Sequence, residues 1–246
     1  VASFLAVLEM IKMNKIYACS DLHGNYNLWQ QISKYCDETD KIFYLGDAID
    51  RGPNGLKIML DLLNDTRVLY LKGNHEDMMV AAMHQYMGDS NWFDDAMYLW
   101  MSNGGKTTYD ALMNFNLDIQ LSLLKKIQKL PYTILYKNKN NQRIYLCHSG
   151  CDYENFTDGC KKDYIWNREH IYNDWFGPED IILVHGHTPV SYILQMEKNE
   201  KPVIYKYCNK HKIDIDMGTI LTNRTVLLDL DTLEPIYFDD EGEKNE

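Results

Sequence analysis

Apolar positions in the first third of the chain alternate between two textures. Residues 15–20, 42–45 and 68–71 are short β-prone runs, the pattern of strands. Between them, residues 25–36 place Leu28, Ile32 and Tyr35 at helical spacing, and the stretch from Pro53 to Asn64 offers Ile58, Leu60, Leu62 and Leu63 as a buried side. Another helix is expected from about Asn74. Strand–helix–strand units of this size form parallel sheets with right-handed crossovers.

From 90 to 130 the texture changes. Trp92, Phe93, Met97, Tyr98, Trp100 and Met101 crowd a segment that reads as helical, with a turn at Asn103-Gly104-Gly105. It is expected to be a helical insertion and not a second domain. Strands return at 132–136, 144–147, 181–184, 203–205, 212–216 and 226–229 with few helices between them, which implies a mixed or antiparallel second sheet. The expected fold class is α/β: one domain over 13–238, preceded by an N-terminal extension at 1–12 and followed by a frayed acidic tail at 239–246.

Charge narrows the partners. Lys and Arg total 25 against 36 Asp and Glu, a formal charge of −11, so a phosphate backbone would be repelled and no nucleic-acid partner is expected. The hydrophobic share of 45% excludes disorder. None of the six cysteines forms a Cys-x-x-Cys pair, which favours reduced, buried thiols. The apolar run at 1–8 falls short of the ~20 residues that cross a bilayer and has no basic flank. A cytoplasmic protein without a membrane partner is expected.

Five short segments carry the chemistry: Ser20-Asp21-Leu22-His23-Gly24; Gly46-Asp47-Ala48-Ile49-Asp50-Arg51-Gly52; Gly73-Asn74-His75-Glu76; His148-Ser149-Gly150; and His185-Gly186-His187-Thr188. Each follows an apolar β run, at the strand edge where α/β sheets build their sites. Asp21 to Asp47 spans 26 positions and Asp47 to Asn74 spans 27, about one βαβ unit each. The three clusters therefore sit at equivalent ends of neighbouring strands and can converge. Carboxylate, imidazole and amide oxygen together suit divalent first-row metals.

The run Gly46-Asp47-x-x-Asp50-Arg51-Gly52 followed by Gly73-Asn74-His75-Glu76 resembles the phosphoprotein phosphatase family of metallophosphoesterases, the calcineurin-like phosphoesterases. Within it the likeness is to small bacterial and phage serine/threonine phosphatases. Asp21-Leu22-His23-Gly24, His148, Gly186-His187-Thr188 and Ile215-Asp216-Met217-Gly218 extend the likeness over 15–238. The resemblance implies a four-layer sandwich of two mixed β-sheets flanked by helices. It also implies two divalent cations, manganese first, with iron or zinc as alternatives.

Carried over residue by residue, Asp21 and His23 would bind one cation, Asp47 would bridge both, and Asn74, His148 and His187 would hold the second. His75 would be a general acid oriented by Asp50. Arg51 and Arg168 would grip substrate phosphate together with Asn74. The implied reaction is in-line attack of a metal-bridging hydroxide on a phosphomonoester, in a phosphoprotein or a small phosphorylated substrate. Two departures are visible: Lys72 where the family often has arginine, which could change phosphate affinity, and Ser20 where glycine is usual.

Blander roles compete at other positions. His185 reads as structural, with a register error between it and His187 as the main risk. Glu76 reads as a helix N-terminal acid, Trp92 and Trp100 as packing, and His84, His170 and His211 as surface or core residues. The competing functions are a symmetrical dinucleoside tetraphosphate hydrolase, which would use the same metals, a non-catalytic metal-binding module, and a structure-specific nuclease that the acidic charge disfavours.

Overall fold

In a computed structural model of the protein, which describes residues 15–88, 95–151 and 159–242, strand and helix alternate through the first third. The expected extension at 1–12, Trp92 and Phe93, and residues 243–246 of the expected tail lie outside the described residues. The order runs β1 (Ile16–Cys19), α1 (Tyr26–Tyr35), β2 (Lys41–Tyr44), α2 (Gly55–Asn64), β3 (Val68–Tyr70) and α3 (Asn74–Tyr86). Asn25 starts α1 by accepting the Leu28 N–H on its side chain at 3.2 Å. Helices α4 (Ala96–Ser102), α5 (Lys106–Leu112) and α6 (Leu117–Gln128) form the insertion.

The second half gives β4 (Thr133–Lys137), β5 (Arg143–Cys147), α7 (Lys161–Trp166), a 3₁₀ turn (Glu169–Ile171), β6 (Ile181–His185) and α8 (Val190–Ile193). It closes with β7 (Tyr205–Tyr207), β8 (Lys212–Asp214), α9 (Thr219–Thr222), β9 (Arg224–Asp229) and β10 (Pro235–Asp239). One five-stranded sheet has the order β10-β9-β1-β2-β3 and the other β4-β5-β6-β8-β7. In the first sheet β1, β2 and β3 run parallel and β9 and β10 add antiparallel on one side; in the second the three central strands β5, β6 and β8 run parallel, with β4 and β7 antiparallel at the edges.

Strand alternation builds the layers. Ile16 and Ala18 of β1, Ile144 and Leu146 of β5, and Ile182 and Val184 of β6 pack into one core between the sheets. Their neighbours face outward: Tyr17 and Cys19 join α1, α2, α3 and the insertion in a second core, and Tyr145, Cys147 and Leu183 meet Tyr164 and Ile165 of α7 in a third. The result is the expected four-layer α/β architecture. Among the described residues no helix is long and apolar enough to cross a membrane.

Two strands depart from the sequence reading. The strand expected at 203–205 lies at Tyr205–Tyr207, because pairing with β8 aligns Tyr205 with Asp214 and Tyr207 with Lys212 across the turn at Cys208-Asn209-Lys210. β10 was not expected at all. Its opening Pro235 is tolerated because it begins an edge strand. Asp239 ends that strand and pairs with Arg224 at 2.9 Å, so it belongs to the sheet.

Candidate active site

Beyond the strand ends, the loops continue to zip together. After β1 and β2, Asp21 N–H donates to Gly46 O at 3.1 Å and His23 N–H to Asp47 O at 3.1 Å; after β5 and β6, Gly186 N–H donates to His148 O at 2.8 Å. The loops turn sharply there. Asp21, His23, Asp47, Asp50, Arg51 and His187 all have φ between 43° and 73°. Among the described residues, six of the thirteen non-glycine residues with positive φ therefore lie in these motifs, and left-handed backbone at non-glycine residues concentrates at functional sites. Glycine supplies close approach at two points: a Cβ on Gly73 would land on the Asp47 carboxylate, and one on Gly186 on that of Asp21.

Asp47 stands at the centre. Its Oδ2 is 3.4 Å from His148 Nε2, 3.6 Å from His23 Nε2 and 3.8 Å from His75 Nε2, while Oδ1 accepts the His75 N–H at 3.1 Å. Two buried triads share it: His23–Asp47–His75 and Asp47–His148–His187, each with its donor atoms within 4.8 Å of one another. Asn74 Oδ1 lies 2.8 Å from His148 Nε2 and 2.9 Å from His187 Nδ1, which adds an amide oxygen to the second triad. His75 Nδ1 donates to Asp50 Oδ2 at 2.7 Å. Arg51 forks over the first triad, with Nη1 2.9 Å from His23 Nε2 and Nη2 3.1 Å from His75 Nε2.

These residues fit a pair of cations. Leu45 O accepts from His148 Nδ1 at 2.9 Å, so that nitrogen carries a proton, and Nε2 then faces the oxygens of Asn74 and Asp47. An acceptor-rich point of this kind calls for a proton or a cation. Burial opposes charge on His148, but the Asp47 and Asp21 carboxylates outweigh it and hold the imidazole up at about 9. Burial also works against a charged Asp47, yet the imidazoles of His148, His75 and His23 hold it well below the usual carboxylate range. Burial and the neighbouring His75 depress His23, and burial and His148 depress His187, so both rings stay neutral with a lone pair to give. Neutral imidazole, carboxylate and amide oxygen form a donor set suited to first-row dications.

The expected residues fall into place unevenly. Asp21 belongs to neither triad: its carboxylate accepts from the His187 N–H at 3.2 Å and from the Ser20 hydroxyl, beside the second triad. His75, expected only as an acid, stands among the donors of the first. Arg168 is exposed, at the start of the 3₁₀ turn, and its charge is felt at His187. His187 faces the cluster, whereas His185 turns away to Tyr207 at 2.8 Å and the His170 ring. Lys72 points away as well, donating to Gln128 O at 3.0 Å and lying over the Tyr132 ring, so it ties the insertion to the sheet and offers nothing to phosphate.

Glu76 does more than favour a helix N-terminus. Its Oε2 accepts the N–H groups of Asp47 and Gly73 at 2.9 Å, and its Oε1 accepts the Ala48 N–H at 2.9 Å and the Tyr70 hydroxyl at 2.7 Å. A fully buried carboxylate with four donors fixes the loop that carries Asp47. No local pattern marks this, because the partners lie up to 29 positions away. Glu76→Gln turns an amide N–H₂ towards donors and is expected to lower stability by about 2–5 kcal/mol, read by urea unfolding of the metal-free protein.

A two-sheet α/β fold with a shared-carboxylate donor cluster at the strand ends is that of a metal-dependent phosphoesterase. Residues 14–217 match the model of the calcineurin-like phosphoesterases, and the chain belongs to that family. It is 31% identical over 169 residues to serine/threonine-protein phosphatase 2 of Escherichia coli, covering 67% of this chain and 68% of that protein. A symmetrical bis(5'-nucleosyl)-tetraphosphatase of Buchnera aphidicola is 34% identical over 86 residues, 32% of this chain and 31% of that one. Among solved structures, a protein serine/threonine phosphatase from Saccharomyces cerevisiae superposes with a TM-score of 0.58 at 13% identity, covering 94% of this chain and 81% of that one.

Proposed function

We propose that the protein hydrolyses phosphate monoesters with two bound divalent cations, and that its substrates are phosphoserine or phosphothreonine in proteins. In this reading His23, Asp47 and Asp21 hold one cation, and Asp47, Asn74, His148 and His187 the other, with manganese as the first choice and iron or zinc as alternatives. The observation that carries it is the sharing of Asp47 between two buried triads, with an arginine fork at their edge. When bound, the cations supply the Lewis acidity that ionises a water and neutralises phosphate charge.

The chain's own groups do the rest. Arg51 carries a planar fork matched to two phosphate oxygens, and it exchanges its bonds to His23 and His75 for bonds to substrate. Arg168 adds a second positive charge from the exposed 3₁₀ turn. Release of Arg51 frees His75 Nε2 to carry a proton to the leaving oxygen as its bond to phosphorus breaks. Asp50 holds the other ring nitrogen and stabilises the imidazolium.

The likeness to a serine/threonine phosphatase over two thirds of both chains supports a protein substrate over a dinucleoside polyphosphate. The manganese-loaded protein is expected to release phosphate from phosphoserine and phosphothreonine peptides and to leave diadenosine tetraphosphate largely intact. A strong preference for diadenosine tetraphosphate, with ADP as product, would replace this reading with the symmetrical tetraphosphatase. No turnover of either, with metal bound, would make the chain a binding module.

A further inference from the structure

The helical insertion touches the turn at Asp50-Arg51 at three points. Trp100 of α4, fully buried, donates its indole Nε1–H to Asp50 Oδ2 at 2.8 Å, the same oxygen that accepts from His75 Nδ1 at 2.7 Å. Thr108 of α5 accepts the Asp50 N–H on its Oγ1 at 2.9 Å, and Gly104, between the two helices, accepts the Arg51 N–H on its carbonyl at 3.0 Å. The indole is itself confined: a Cβ on Gly105 would lie 2.6 Å from its Nε1, and the Tyr109 ring meets it edge-on with centroids 6.2 Å apart.

These contacts act on a turn that needs holding. Asp50 and Arg51 have φ of 71° and 65°, a conformation that costs an ordinary side chain about 1–2 kcal/mol and persists where surrounding bonds over-determine it. Asp50 Oδ1 is buried and has no hydrogen-bond partner among the described residues. The orientation of the carboxylate therefore depends on the two donors at Oδ2, one of them Trp100. With the indole N–H gone, the group is free to rotate about its bond, and the His75 ring loses its fixed bearing.

We propose that Trp100 is a positioning residue for the His75 acid, acting through Asp50, and that the Trp100–Gly104–Thr108 face of the insertion is the clamp that sets both Asp50 and Arg51. The inference rests on the reading of His75 as proton donor to the leaving group. It gives the insertion a part in catalysis beyond packing. The effect must grow with the need for a proton: an alkyl phosphate releases an alkoxide that requires one, and a nitrophenyl phosphate releases a stable phenolate that does not.

Trp100→Phe keeps the ring and deletes the N–H. The test is kcat and KM of Trp100→Phe, His75→Asn and the double variant on a phosphoserine peptide and on p-nitrophenyl phosphate, with bound metal and thermal midpoint measured for each. For Trp100→Phe, kcat on the peptide is expected to fall about 10–100-fold and on the nitrophenyl ester by no more than about threefold, with KM and metal content kept. The double variant should lose no more on the peptide than His75→Asn alone.

Equal losses on both esters, or none on the peptide, would overturn the role of Trp100 while a selective loss in His75→Asn left the acid reading intact. Absence of selectivity in His75→Asn itself would overturn the acid reading and this inference with it. Should Trp100→Phe fail to fold, Thr108→Val decides: it is expected to show the same selective loss, and Thr108→Ser to restore it. A uniform loss in Thr108→Val would count against the clamp.

Discussion

Asp47→Asn is expected to reduce phosphatase turnover by more than about 10³-fold, beyond the ~10²–10³ that one oxyanion-hole donor is worth, and to release metal from both positions. The reason is its place in the cluster. Asp47 is the one residue common to both triads, and its Oδ2 lies within 3.8 Å of three imidazole nitrogens. Asparagine keeps the volume and the left-handed backbone but removes the negative charge, and it presents either one oxygen or an N–H₂ to groups that must give lone pairs to a cation. Elemental analysis of the dialysed variant, with a thermal midpoint to show that it folds, reads the result. Asp47→Asn with two equivalents of metal and near-normal kcat would refute the shared role.

His75→Asn is expected to behave differently: metal retained, kcat on a phosphoserine peptide lowered about 10²–10⁴-fold, and kcat on p-nitrophenyl phosphate lowered much less. The geometry makes this a sharp test, because His75 Nε2 lies among the donors of the first triad while its Nδ1 is committed to Asp50 at 2.7 Å. Loss of one metal equivalent would make it a ligand. Asp21→Asn is the companion measurement, since the carboxylate of Asp21 is engaged by the His187 N–H and stands outside both triads.

The parts of the site that a reader of the sequence can find are those written as local words. Gly46-Asp47, Gly73-Asn74 and Gly186-His187 each pair a ligand-type residue with a glycine, and the structure gives the physical reason at two of them: Gly73 and Gly186 leave room for the carboxylates of Asp47 and Asp21. Even spacing along βαβ units told where these loops meet. The four layers follow from strands whose alternate residues face different cores.

What escaped was long-range. Glu76 looked like a helix-start acid, yet its partners Asp47 and Ala48 belong to a loop nearly thirty positions earlier. Trp100 looked like packing, and its indole N–H meets Asp50 fifty positions away. Lys72 reads as a weakened phosphate ligand, whereas its ammonium donates to Gln128 O. β10 was hidden because an edge strand tolerates the proline and acids that argue against a central one. Periodicity places a side chain on a face of its element but does not name the distant group it meets there, and Glu76, Trp100 and Lys72 all turn on such a partner.

The most direct measurement of the central claim is anomalous diffraction from crystals of the manganese-loaded protein. Two peaks per chain are expected on either side of the Asp47 carboxylate, one next to His23 and the other next to Asn74, His148 and His187. A single peak, or peaks that do not touch Asp47, would contradict the account.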